Sequence, residues 1–290
     1  MASVAELALS REYKRLNSEK TIIPISRSVA LEVYSNTKPC NLKIGNLQKG
    51  LVFAYDGVER VGEGTGFGFP VLIYPKETYF SGSAEVWVKQ TRRVIKIRKE
   101  FMMDRIARNK LGNVHLENQQ ARAFIRVLTD LYQKNRRCRY LALKELIVNM
   151  GVKASFVETT PIGKVIVTYT IIGCYIDVEI DFRQLRRTHL KKIFILNEQS
   201  ASFFPRYTDS NGENFVGKQI GAWDIVKAES ACLTDLRGQT GYRLWNIHDC
   251  VLRRGRETMK NCLDWSGLDY EVNPQKEVLN YKIEILGGKP

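Results

Sequence analysis

Several signatures that would declare a function at once are missing from this chain of 290 residues. None of its 6 cysteines forms a C-x-x-C pair: Cys40, Cys138, Cys174, Cys232, Cys250 and Cys262 are scattered. The reading that fits is small buried hydrophobes in a reducing compartment. Its 3 histidines, His115, His189 and His248, are isolated from one another, which argues against a zinc site of the usual local kind. There is no Asn-x-Ser/Thr sequon, and no stretch approaches the ~20 apolar residues of a membrane span. Residues 1–20 carry charges throughout without an apolar run of signal-peptide length, so a cytoplasmic location is expected. No G-x-S-x-G elbow nominates a serine nucleophile.

The bulk composition is that of an ordinary globular protein, 44% hydrophobic and 26% charged. A chain of this length buries roughly 75% of its unfolded surface and needs neither disulfide nor metal to be stable. The net charge of +14 favours anionic partners, whether nucleic acid, glycan, phosphorylated metabolite or membrane surface, without choosing among them. Basic clusters fall at Arg92–Lys99, Lys134–Arg139, Arg183–Lys192 and Arg253–Arg256, with apolar residues mixed in as on ordinary strands.

Periodicity is dominated by strands. In Lys164–Ile172, Val165, Val167, Tyr169 and Ile171 share one face. After Gly173-Cys174, Ile176, Val178, Ile180 and Phe182 alternate strictly with Tyr175, Asp177, Glu179 and Asp181. Strict period two on both sides of a short turn predicts a hairpin half exposed to water. Asp177, Glu179 and Asp181 form a carboxylate row better read as solvated or ion-paired than as a cation site. Further strands are expected over 28–34, 40–44, 50–55, 58–62, 67–74, 83–89 and 93–101, and again over 193–197, 202–207, 225–233, 240–247, 249–254, 258–264 and 277–286. Helices are expected over 2–18, 118–133 and 139–150, the last stopped by Gly151. With no βαβ rhythm, the fold class is mainly β: a large antiparallel sandwich over residues 21–290 with a helical insertion at 118–150, preceded by a helical segment at 1–20, with two packed β-domains as the alternative.

The only glycine-rich segment, Gly62-Glu63-Gly64-Thr65-Gly66-Phe67-Gly68, lacks G-x-G-x-x-G spacing and has no helix after it. It reads as a bulge or close backbone approach that could line a ligand site, not a dinucleotide cradle. The last third is richer. Asn197-Glu198-Gln199-Ser200, Tyr207-Thr208-Asp209-Ser210, Gly221-Ala222-Trp223-Asp224, Arg253-Arg254-Gly255-Arg256-Glu257 and Asp264–Tyr270 set polar groups beside Trp and Tyr in expected loops and strand ends. An aromatic face under the C–H side of a ring, with carboxylates taking hydroxyls, is how sugars are held. Glu198, Asp209 and Asp224 are therefore the candidate acid–base carboxylates, Trp223 and Trp265 the candidate stacking platforms, and Arg253, Arg254, Arg256 and Tyr270 the candidate ligand-binding groups.

Over residues 160–287 the strand rhythm resembles that of the galactose-mutarotase-like β-supersandwich proteins. The features are Pro161-Ile162-Gly163 leading into the Val165–Phe182 hairpin, Gly221-Ala222-Trp223-Asp224, and the strand at Tyr281–Ile285. The resemblance implies a large antiparallel sandwich that binds or acts on carbohydrate. Mutarotases of that family use two histidines and a carboxylate, and neither His115, His189 nor His248 stands in a matching context. Related lyases use a Tyr base with Arg or Asn groups, chemistry that Tyr270 and Arg253, Arg254 and Arg256 share in kind. The expected function is binding of a carbohydrate, preferably anionic, with acid–base modification as the chemistry its residue types allow, and no cofactor or metal. The alternatives are nucleic-acid binding through the basic clusters, or a non-catalytic interaction protein.

Overall fold

In the computed structural model the described residues are 13–35, 48–57, 65–75, 78–103, 105–111, 152–158, 161–257 and 265–287. They hold twenty-one strands, numbered in chain order, and one 3-10 turn at Gly217–Ile220. Ten strands make one sheet, in spatial order β1 (Lys14–Arg15), β7 (Ser83–Gln90), β8 (Ile95–Met102), β11 (Lys164–Ile172), β12 (Tyr175–Asp181), β21 (Val278–Leu286), β18 (Gly241–Trp245), β17 (Ser230–Thr234), β14 (Arg206–Asp209) and β15 (Asn214–Val216). Eight make a second: β10 (Val152–Glu158), β9 (Arg105–Leu111), β6 (Thr78–Phe80), β5 (Gly66–Ile73), β13 (Lys192–Ser200), β20 (Trp265–Val272), β19 (Cys250–Glu257) and β16 (Ala222–Ile225). A third sheet has β2 (Lys20–Pro24), β3 (Val29–Tyr34) and β4 (Val52–Tyr55). Every pairing is antiparallel.

The two large sheets pack face to face, as a sandwich requires. Phe67 of β5 meets Tyr242 of β18 edge-on at 4.9 Å, and Phe69 meets Phe101 of β8 at 5.6 Å. Tyr270 of β20 meets Tyr281 of β21, also at 4.9 Å. The Tyr169 hydroxyl crosses from β11 to donate to the Phe67 carbonyl at 2.6 Å, so a phenol buried in the core spends its polar end on backbone.

The predicted hairpin is β11–β12, turning at Gly173-Cys174, and burial alternates along β12 residue by residue. Asp177 pairs with Lys282 at 3.6 Å and Asp181 with Arg183 at 2.7 Å, so two of the three carboxylates on that face are ion-paired. Two expectations change, and others are not reached. Lys14–Arg15 pairs with Val88 and Trp87 of β7, so this part of the expected N-terminal helix is extended edge strand; residues 1–12 lie outside the described residues. The stretch 265–270, expected as loop or strand end, is the interior of the sheet, strand β20, hydrogen-bonded on both sides. The expected strands 40–44, 58–62 and 258–264, and the expected helices at 118–150, lie outside the described residues.

The small sheet is tied to the sandwich by a buried cation. Lys99 of β8 is 0% exposed, and its ammonium donates to the carbonyls of Tyr34 (2.9 Å) and Lys49 (2.7 Å) above the Phe101 ring. Burial, with Lys49 nearby, pulls its pKa down from 10.5 to about 7.

Candidate functional site

Apolar alternation governs β13 up to Leu196 and then stops: Asn197, Glu198, Gln199 and Ser200 are all buried. The register against β5 slips between Leu196 and Asn197, where Gly68 sits at φ 75°. Such a bulge re-aims the side chains that follow it. A Cβ at Gly68 would lie 2.8 Å from the Tyr169 hydroxyl, so two constraints demand glycine there.

Asn197 becomes the hub of a buried polar network. Its side-chain oxygen accepts from the Gly68 N–H (3.1 Å) and the Tyr281 hydroxyl (2.8 Å), and its amide nitrogen donates to the Leu268 carbonyl (3.1 Å). Its own carbonyl accepts from the Tyr242 hydroxyl at 2.8 Å, and its N–H donates to Asp269 Oδ1 at 2.7 Å. Gln199 extends the network to the small sheet, accepting from Phe53 N–H and donating to the Leu51 carbonyl. A network satisfied this fully rigidifies what it holds.

What it holds is the outward face of the eight-stranded sheet. Directly paired residues of antiparallel strands share a face. One row therefore runs Gly66, Glu198, Gly267, Gly255, Ala222 across five strands. The glycines leave a trough in the backbone that the chain's own side chains fill, Glu198 and Asp269 over Gly267 and the Trp223 indole over Gly255. Ser200, Trp265 and Glu257 line one side, and Asp269 and Arg253 the other. At the Gly66 end the backbone of Gly50 closes it, a Cβ on Gly66 falling 2.9 Å from the Gly50 nitrogen.

Trp223 lies over Gly255: a Cβ there would come within 2.5 Å of the indole. The Trp223 backbone sits at φ 67° in the irregular pairing of β16 with β19, and its indole N–H donates to Glu257 Oε1 at 3.3 Å. Arg253 fastens this arrangement, giving Nη1 to the Trp223 carbonyl (3.1 Å) and its remaining guanidinium face to Glu271 (2.6 Å). Burial opposes ionisation of Glu271, but hydrogen bonds from Lys192 and Arg253 outweigh it and hold the carboxyl below the usual range.

Asp269 behaves oppositely. It is 3% exposed, and burial, opposed by the Asn197 N–H and reinforced by the Glu257 carboxylate, pushes its pKa up to about 8. A Cβ on Gly267 would lie 2.8 Å from Glu198 Cγ and 3.1 Å from Asp269 Oδ1, so both acids flank the same bare Cα. A proton-holding carboxyl beside a second carboxyl is equipped for proton transfer to or from a ring hydroxyl or ring oxygen.

The structure thus brings together Glu198, Trp223, Trp265 and Arg253. Asp209 stands at the end of β14 in the other sheet, accepting from the Tyr207 hydroxyl and the N–H groups of Asn211 and Glu213, where it fastens a turn. Asp224 pairs in register with Arg254 on the opposite face. Arg254 lies between the rings of Tyr207 (5.0 Å) and Phe215 (4.4 Å) and donates to the Ile220 carbonyl. Arg256 donates to the Ala201 carbonyl at 3.3 Å. Tyr270 is in the sandwich core, its hydroxyl on the Trp245 carbonyl.

Asp269 and Glu257 belong to the site; the sequence places both in polar segments expected as loops or strand ends without nominating either as an acid–base group. The available signal is an Asp between Leu268 and Tyr270, a carboxylate inside an apolar run. Among the described residues no group of three or more His, Cys, Asp or Glu is placed to hold a metal ion. Comparison with protein-family models, curated proteins and solved structures matches this chain to none of them.

Proposed function

We propose that the protein binds a carbohydrate in this trough and, through Asp269 and Glu198, catalyses proton transfer on it. The observation that carries the reading is the glycine-floored row at Gly267 and Gly255, flanked by Trp223, Trp265 and three carboxyl groups. Indole faces pack on the C–H side of a pyranose and carboxylates accept its hydroxyls. In this reading the sandwich is a supersandwich related to the galactose-mutarotase-like proteins, with a carboxyl pair where those enzymes use histidines. The arginine nearest the trough, Arg253, is engaged by Glu271 and the Trp223 carbonyl. The ligand is therefore a neutral, hydroxyl-rich sugar rather than an anionic one. The free thiols of Cys174, Cys232 and Cys250 accord with a cytoplasmic setting.

The test is thermal stability against neutral sugars, uronates and sugar phosphates. A ligand at ~100 times its dissociation constant adds about 2.7 kcal/mol, a shift of several degrees. We expect a shift with one neutral sugar class that disappears in Trp265→Ala and persists in Asp269→Asn, the latter losing turnover rather than binding. No shift with any sugar, or one indifferent to Trp265→Ala and Glu198→Gln, overturns the reading.

A further inference from the structure

A second surface lies on the opposite sheet, at the end formed by the β7–β8 and β11–β12 hairpins. By register, one outward row there reads Lys89, Lys96, Thr170, Asp177, Lys282 across β7, β8, β11, β12 and β21. Four interstrand spacings make this row about 19 Å long. Lys89 and Lys96 are direct cross-strand neighbours, so two cations stand side by side at the start of the row. The β7–β8 turn adds Arg92 and Arg93, both exposed. Among the described residues no carboxylate pairs with Arg92, Arg93 or Lys96.

The nearby acids are already occupied. Asp177 meets Lys282 at 3.6 Å, and Glu284 meets Arg243 at 2.8 Å. One step toward the hairpin tips, Ile172 and Tyr175 face each other across β11–β12 and remain 47% and 43% exposed. The Lys282 ammonium sits 5.5 Å from the Tyr175 ring. Cations in a line with an exposed aromatic ring beside them are what a single strand of nucleic acid requires: phosphates along the cations and a base on the ring. An anionic membrane fits less well. Pressed flat onto this face it would also cover Glu179, which stands outside the row, whereas a single strand following the row meets one carboxylate, Asp177, already paired with Lys282.

We propose that this end of the ten-stranded sheet docks single-stranded nucleic acid, with Lys96, Arg92 and Arg93 on phosphates and Tyr175 under a base. The surface is independent of the trough, on the other sheet of the sandwich. The test is fluorescence anisotropy with labelled mixed-sequence DNA and RNA oligonucleotides on the full chain, between ~50 and ~200 mM salt. Three phosphates neutralised at ~0.7 each give a log–log salt slope of about −2.

The triple variant Arg92→Glu, Arg93→Glu, Lys96→Glu should weaken binding by about tenfold or more and flatten the salt slope. Tyr175→Ala should weaken it several-fold and leave the slope unchanged. Lys218→Glu with Lys227→Glu, exposed cations away from this row, is the control for charge alone. Unchanged affinity in the triple variant overturns the proposal, as does an equal loss in the control. So does binding of phosphatidylserine vesicles, abolished by the triple variant, with no oligonucleotide bound.

Discussion

Asp269 on the outward face of the eight-stranded sheet and the carboxylates on the outward face of the ten-stranded sheet live in opposite surroundings. On the ten-stranded sheet Asp177, Asp181, Glu100 and Glu284 each meet a Lys or Arg within 3.6 Å. On the eight-stranded sheet Asp269 meets a backbone N–H and is repelled by another carboxylate. Of these, Asp177–Lys282 is an ordinary surface pair that contributes ~1 kcal/mol or less, while Glu100 is buried between Arg98 and Lys164. Asp269 is held by a network that leaves it protonated near neutral pH, so the second arrangement costs stability and supplies chemistry. The lesson is that a charged residue's type says little until its two strand neighbours are known.

The largest effect expected is at the hub. Asn197→Ala strands the Gly68 N–H, the Tyr281 hydroxyl and the Leu268 carbonyl, at ~1–3 kcal/mol each. We expect a loss of about 4 kcal/mol or more in urea unfolding, and a loss below ~1 kcal/mol would mean the network does not hold the trough.

Next is the buried cation. Because Lys99 has a pKa of about 7 folded against 10.5 in the free side chain, the unfolded chain binds more protons between those values. Its contribution to stability therefore rises from pH 7 to pH 10.5, by about 4–5 kcal/mol at 1.36 kcal/mol per unit, and below pH 7 the penalty is complete. Lys99→Met should lack this rise when unfolding is followed across that range, and the same rise in the variant would place its origin elsewhere.

Asp269 gives the opposite slope. With its pKa raised from 3.8 to about 8, the folded state binds the extra proton, and stability falls as pH climbs through that window. Asp269→Asn keeps an acceptor for the Asn197 N–H and should remove the fall, overtaking the native chain in melting temperature toward pH 8. A parallel pH profile would erase the contrast between the two faces.

The smallest effect sharpens the contrast from the other side. Asp177→Asn breaks a pair whose members are both more than half exposed, and the change should stay within ~0.5 kcal/mol and vanish in high salt.

How far these features could be read in the sequence follows from the same physics. The β11–β12 hairpin is legible because one of its faces is wet, so period two is written in the residue types. β20 is illegible for the converse reason. Buried from Ser266 to Tyr270, it needs no polar alternation, and its Gly267 and Asp269 imitate a loop. Glu198, Trp223 and Trp265 could be nominated by chemical type, but their convergence depends on β13, β20, β19 and β16 lying side by side, pairings between segments distant in sequence. Asp209 and Arg254 carry the same chemistry and are spent on a turn and on two rings.

One pairing bears on how the molecule comes to be assembled. In the ten-stranded sheet β21 follows every other strand in sequence, yet it lies in the middle, between β12 and β18. Until residues 278–286 have left the ribosome, the β1–β12 and β14–β18 parts of that sheet each keep an open edge and cannot join. The last insertion closes contacts across more than a hundred residues of chain, the kind of long-range step that sets slow folding. Over that interval the two unpaired edges would be open to pairing with strands of other copies, which makes chaperone occupancy during synthesis a property written into the strand order.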